Sequence, residues 1–161
     1  MTIEIGQTPP DVPLTVVDGG TALPTGTAAV FAGRRMVMFA VPGAFTPTCS
    51  EHHMPGFVAE YPHFRARGID VCCLSVNDAF VMQAWAADQH VPAGLLMLAD
   101  GNGAFTRALG LELDGSAYGL GPRARRFALY AVDGVVRQLH IEAAGELRVS
   151  SAEAMLASVT D

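Results

Sequence analysis

The run Met36-Val-Met-Phe-Ala-Val41, continued by Pro42-Gly-Ala-Phe-Thr46-Pro-Thr-Cys49 and Ser50-Glu-His-His-Met-Pro-Gly-Phe57, decides how the rest of this sequence is read. Six consecutive apolar residues have the length of a buried strand, and Pro42-Gly43 ends it. Thr46, Pro47, Thr48 and Ser50 then offer N-cap candidates and an early helical proline, so a helix is expected to start within a residue or two of Cys49. A cysteine thus stands where a strand hands over to a helix. Free amide N–H groups and the positive end of the helix dipole favour negative charge there, and thiolate is the nucleophilic form of cysteine. Cys49 is therefore the candidate nucleophile.

Upstream, Leu14-Thr-Val-Val17 reads as a short edge strand ended by Asp18-Gly19-Gly20, with Ala28 to Phe31 as its partner strand. Downstream, Phe57, Tyr61 and Phe64 at i, i+4 and i+7 predict a helix to about Arg67, stopped by Gly68 and kinked near Met54 by Pro55-Gly56. Ile69 to Val76 is a second buried strand, and Asn77-Asp78 caps a helix from about Ala79 to His90. Leu95 to Leu98 is a third strand, and Phe105 with Leu109 mark a short helix stopped by Gly110. Leu111 to Arg125 is glycine-rich and aperiodic, a long loop of functional or interfacial character. Arg126 to Val132 and Val135 to Glu142 form a hairpin about Asp133-Gly134. Ser150-Ser-Ala-Glu153 has capping-box spacing and opens a last helix with Met155, Leu156 and Val159 on its apolar face. This alternation predicts an α/β fold with a mixed central sheet and helices on both faces, in a single domain over residues 1–161.

Half of the 161 residues are apolar, enough for a substantial core. The net charge is −6 and the only basic cluster is Arg123-Ala-Arg125-Arg126, which argues against a nucleic-acid surface. Neither a leader-like start nor an apolar run of membrane-spanning length is present, so a soluble, cytoplasmic protein without membrane partners is expected. Three cysteines, an odd number, fit a reducing compartment better than a disulfide framework. Cys72 and Cys73 are neighbours on a strand and point to opposite faces, so they do not bridge to each other.

Pro42-x-x-x-Thr46-x-x-Cys49 after an apolar strand, with an arginine opening a much later strand, resembles the peroxiredoxins. Val41 to Ser50, Leu74-Ser-Val-Asn-Asp-Ala-Phe80 and Arg125-Arg-Phe-Ala-Leu129 resemble the type II, or type five, subfamily, and the resemblance covers essentially the whole chain. It implies a thioredoxin-like fold and a thiol peroxidase reducing hydrogen peroxide and alkyl hydroperoxides without metal, haem or flavin. Peroxynitrite is a further implied substrate. Cys49 is implied as the residue that attacks peroxide and becomes sulfenic acid. Thr46 is implied to hydrogen-bond the peroxide, and Pro42 to shield the site. Arg126, directly before the strand-opening Phe, is implied as the fixed cation, in preference to Arg123 or Arg125. A homodimer through loops flanking the site is also implied, with Phe45 and Phe80 as contributors.

Some members of the subfamily resolve the sulfenic acid with a cysteine in a Gly-x-x-x-Cys stretch. Here the region reads Gly145-Glu-Leu-Arg-Val-Ser150-Ser151, and it contains no cysteine. An external thiol, glutathione with glutaredoxin or thioredoxin, is then the expected reductant. Cys73 is either a small buried hydrophobe or a resolving partner. His52 and His53 give Cys49 a C-x-x-H spacing, but no second Cys/His pair accompanies it, and orientation of the kinked helix is the better role for His53. Two other functions fit the same sequence. A redox sensor or relay needs the same reactive Cys49, and an interaction module needs none.

Overall fold

The structure, a computed structural model, describes residues 1–159. The apolar runs read above become its central strands. β3 (Arg35–Ala40) pairs in parallel with β4 (Asp70–Ser75), and β4 in parallel with β5 (Leu96–Ala99). On the other side of β3, β8 (Phe127–Val132) runs antiparallel and turns through Asp133-Gly134 into β9 (Val135–Ile141). Asp133 and Gly134 both have positive φ, the backbone a two-residue hairpin requires. β1 (Pro13–Asp18) and β2 (Thr21–Gly26) complete a seven-stranded mixed sheet in the order β2-β1-β5-β4-β3-β8-β9.

The helices cover both faces. On one lie α2 (Met54–Ala66), α3 (Ala79–Asp88) and α5 (Ala152–Ser158), whose Phe57, Tyr61, Phe64, Met82, Trp85 and Met155 bury against Phe39, Val71 and Cys73. On the other, α1 (Thr27–Phe31) and α4 (Ala104–Leu109) pack on Met38, Cys72 and Leu98. Strand alternation thus separates the two adjacent cysteines, Cys73 on the first face and Cys72 on the second.

Five local expectations are corrected. Ala28 to Phe31 is helix α1, and the partner of β1 is Thr21–Gly26. β2, not β1, is the edge, which tolerates Pro24 because an edge strand leaves one row of backbone groups unpaired. Leu111 to Arg125 is not one loop: β6 (Glu112–Asp114) pairs with β7 (Pro122–Ala124), with a 3-10 turn at Ser116–Tyr118 between them. The cap of α5 is Ser151, whose hydroxyl accepts from Ala154 N–H; Ser150, one residue earlier, turns its hydroxyl elsewhere. The helix after Asp78 also ends sooner, at Asp88, with His90 in the left-handed region.

The far edge of the sheet, β9, is partly sealed by the amino-terminal segment. Gly6 N–H donates to Val136 O at 2.8 Å and Val136 N–H to Gln7 O at 2.9 Å.

Candidate active site

β3 and β4 are parallel, so the loops leaving their carboxyl ends come together, the usual place for a site in such sheets. Asn77, after β4, ties them. Its Oδ1 accepts from Ala44 N–H at 3.0 Å in the loop after β3 and from Ser75 Oγ at 2.5 Å. Gly43 is buried at the tight point of that loop, where a Cβ would lie 2.6 Å from Arg123 Nη1 and 3.2 Å from Thr46 Cγ2. Phe45, 53% exposed, sits at φ 63°, a left-handed conformation that costs a bulky residue about 1–3 kcal/mol.

The helix begins at Pro47, where Ser50 N–H donates to Thr46 O at 2.9 Å. None of Thr46, Thr48 or Ser50 caps it through its side chain to the first-turn amides; the Thr46 hydroxyl instead donates to Gly43 O at 2.7 Å. The break foreseen near Met54 takes the form of a π-helical turn at Cys49–His53, closed by Met54 N–H to Cys49 O. Pro55 follows it without an N–H for the Glu51 carbonyl, and a widened turn accommodates that missing bond. Trp85 Nε1 donates to Ser50 Oγ at 3.0 Å and pins this turn to α3.

Cys49 is wholly buried. Arg126, immediately before β8, donates from Nη2 to Cys49 Sγ at 3.0 Å and from Nη1 to His53 Nδ1 at 2.7 Å. Because arginine only donates, His53 Nδ1 accepts, and the proton lies on Nε2, which donates to Ser150 O at 2.8 Å. Burial lowers the His53 pKa to about 3, with the nearby Arg126 charge adding to it against the Ser150 hydrogen bond, so the ring is neutral. Phe39 and Phe57, stacked at 3.9 Å, stand 5.0 and 5.6 Å from that ring and supply much of the apolar wall.

The sequence-predicted residues are thus gathered, each to a definite degree. Cys49 and Arg126 touch. Pro42 and Arg126 line one groove of about 350 Å³ with Thr48, Leu120 and Tyr118. Thr46 stands one turn before Cys49. Arg123 supports the loop backbone by donating to Pro42 O at 3.3 Å, and Arg125 is exposed. His52 is exposed while His53 turns inward, and among the described residues no three His, Cys, Asp or Glu side chains converge as a metal site. All three cysteines are free thiols, and burial pushes the Cys72 and Cys73 thiols well up. Sequence reasoning missed Asn77 as the tie between loops, and it missed Glu142. The first had a signal in its capping dipeptide, but its reach to Ala44 crosses 33 positions.

The redoxin family model matches residues 5–156. The chain is 49% identical over 160 residues to Peroxiredoxin-2E, chloroplastic, of Arabidopsis thaliana, spanning 96% of this chain and 68% of that protein. To Peroxiredoxin-2C of Oryza sativa subsp. japonica it is 46% identical over 156 residues, 96% of each. Among solved structures it is similar to reduced Prx3 in complex with hydrogen peroxide from Vibrio vulnificus, with TM-score 0.91, 44% identity and 98% and 99% of the two chains covered.

Proposed function

The chain belongs to the peroxiredoxins of the redoxin family and is a thiol-dependent peroxidase, and from that premise we propose that Cys49 is its peroxidatic residue, with Arg126, Thr46 and Pro42 as its partners. The observation that carries this is the 3.0 Å contact of Arg126 Nη2 with a sulfur held in the first turn of a helix. The Cys49 thiolate attacks the distal oxygen of a hydroperoxide. The S–O bond forms as the O–O bond breaks, and the proximal oxygen leaves with the electron pair as hydroxide or alkoxide. Arg126, whose charge is permanent, stabilises that developing anion. The Thr46 hydroxyl can accept from and donate to the peroxide, and Pro42 walls the site without a competing N–H.

Hydrogen peroxide and small alkyl hydroperoxides are the substrates in this reading, supported by a groove that opens on Arg126 and is walled in part by Pro42, Leu113, Tyr118 and Leu120. An external thiol, glutathione with glutaredoxin or thioredoxin, attacks the Cys49 sulfenic sulfur and displaces its oxygen as water, forming a mixed disulfide that a second thiol reduces back to the Cys49 thiol. The absence of a cysteine between Gly145 and Ser151 and the buried Cys73 thiol support an external reductant. A homodimer formed about the site, in the cytoplasm, completes the proposal; exposed Phe45, Phe80 and Tyr118 support such a contact.

One equivalent of hydrogen peroxide should give wild type a dimedone adduct that is lost in Cys49→Ser and retained in Cys73→Ser, read by intact mass. A two-hydrogen loss absent from Cys73→Ser would instead assign resolution to Cys73. Unmodified protein at low peroxide would remove Cys49 as the nucleophile.

A further inference from the structure

Glu142 follows β9 and is only 4% exposed. Its carboxylate accepts from three successive backbone amides: Arg148 at 2.8 and 2.9 Å, Val149 at 2.9 Å and Ser150 at 2.7 Å. It also accepts from Ser150 Oγ at 2.6 Å. An ionised carboxylate is acceptor-only, so it suits a cluster of donors that no amide side chain could satisfy equally. Burial raises the carboxyl pKa, but these bonds outweigh it and hold the pKa below its ordinary value.

The loop gathered in this way carries the Ser150 carbonyl that receives His53 Nε2–H. His53 holds one arm of the Arg126 guanidinium and leaves the other on Cys49 Sγ. Glu142 N–H also donates to Arg126 O at 3.0 Å, so one residue grips the arginine at its main chain and, through loop and imidazole, at its head. We propose that Glu142 is a positioning residue of the peroxidatic site, fixing the Ser150 carbonyl that sets His53 and so holds Arg126 against Cys49. The inference rests on the reading of Cys49 as nucleophile and Arg126 as its cation. Arginine has several rotatable bonds, and displacement of a reacting group by an ångström can cost about 10²-fold in rate. A rigid support behind the guanidinium removes that freedom.

The test is a double-mutant cycle on the full chain, reading the rate constant of Cys49 with hydrogen peroxide and the pH midpoint of Cys49 alkylation by iodoacetamide. Glu142→Gln should slow the peroxide reaction about tenfold and move the alkylation midpoint upward. His53→Leu should do the same, and the double variant should be within about twofold of the slower single one, because both break one chain of contacts. Should Glu142→Gln not fold, by circular dichroism, Glu142→Asp, one methylene shorter, takes its place. Wild-type rate in the Glu142 variant, or multiplicative losses in the double variant, overturns the proposal. Peroxide consumption by Cys49→Ser would instead overturn the functional reading beneath it.

Discussion

A neutral imidazole at position 53 can receive the guanidinium of Arg126, and an imidazolium cannot. The folded state therefore keeps His53 unprotonated, with a pKa near 3 against 6.5 in the unfolded chain. The unfolded state binds the proton first, so this residue's stabilisation is complete above pH 6.5 and is lost as pH falls below it. Between pH 6.5 and 5 the wild type should lose about 2 kcal/mol of unfolding free energy that His53→Gln does not lose, at roughly 1.4 kcal/mol per pH unit. Urea titrations at the two pH values measure the difference, and parallel loss in both proteins would contradict it. Glu142 does not confuse that window, since its pKa lies below 4.5 and its contribution disappears only in stronger acid. At this scale Cys49 was legible because a helix start follows an apolar strand there, and Arg126 only through the resemblance, which assigns the arginine directly before the strand-opening Phe. Glu142 was not, because its partners are backbone amides, which every residue but proline offers and no sequence marks.

At the scale of elements, the site is two loops and a helix start held at fixed separation, and Asn77 is the tie. Removing it as Asn77→Ala leaves the Ala44 N–H and the Ser75 hydroxyl without their acceptor, a cost of about 1–3 kcal/mol. The peroxide rate should fall with it, while Asn77→Asp, which keeps an acceptor oxygen, should recover most of both; chemical denaturation and stopped-flow kinetics report the two quantities. The central strands and α2 were legible from apolar runs and the i, i+4, i+7 aromatics, all of which face the core. Ala28 to Phe31 was misread because four apolar residues carry no period, and length could not arbitrate. β2 escaped notice for the opposite reason: its sequence, Thr-Ala-Leu-Pro-Thr-Gly, is largely exposed and gains its strand character from pairing with β1. The π-turn was foreseen only as a break, since proline marks where a helix is disturbed but not which wider turn absorbs the disturbance.

For the whole molecule, the order of helices and strands gave the α/β class, because parallel neighbours need crossovers that pack on the faces. The position of β1 between β2 and β5 lay beyond that reasoning, since antiparallel insertion next to β5 depends on contacts over some eighty residues. The two ends of the sheet show a common device. β2 carries Pro24, and β9 is bridged at Val136 by Gly6 and Gln7. An open strand edge is a template for another chain, and both edges here are blunted. Self-association by strand addition is thereby disfavoured, leaving side-chain contacts as the route by which copies meet. A protein lacking residues 1–8 would also lose the burial of Ile3, and it would present the β9 edge bare. Light scattering from it should grow with concentration and time, and that of the full chain should not. The first eight residues, remote from any chemistry, would then be what keeps a peroxidase from becoming the seed of a fibre.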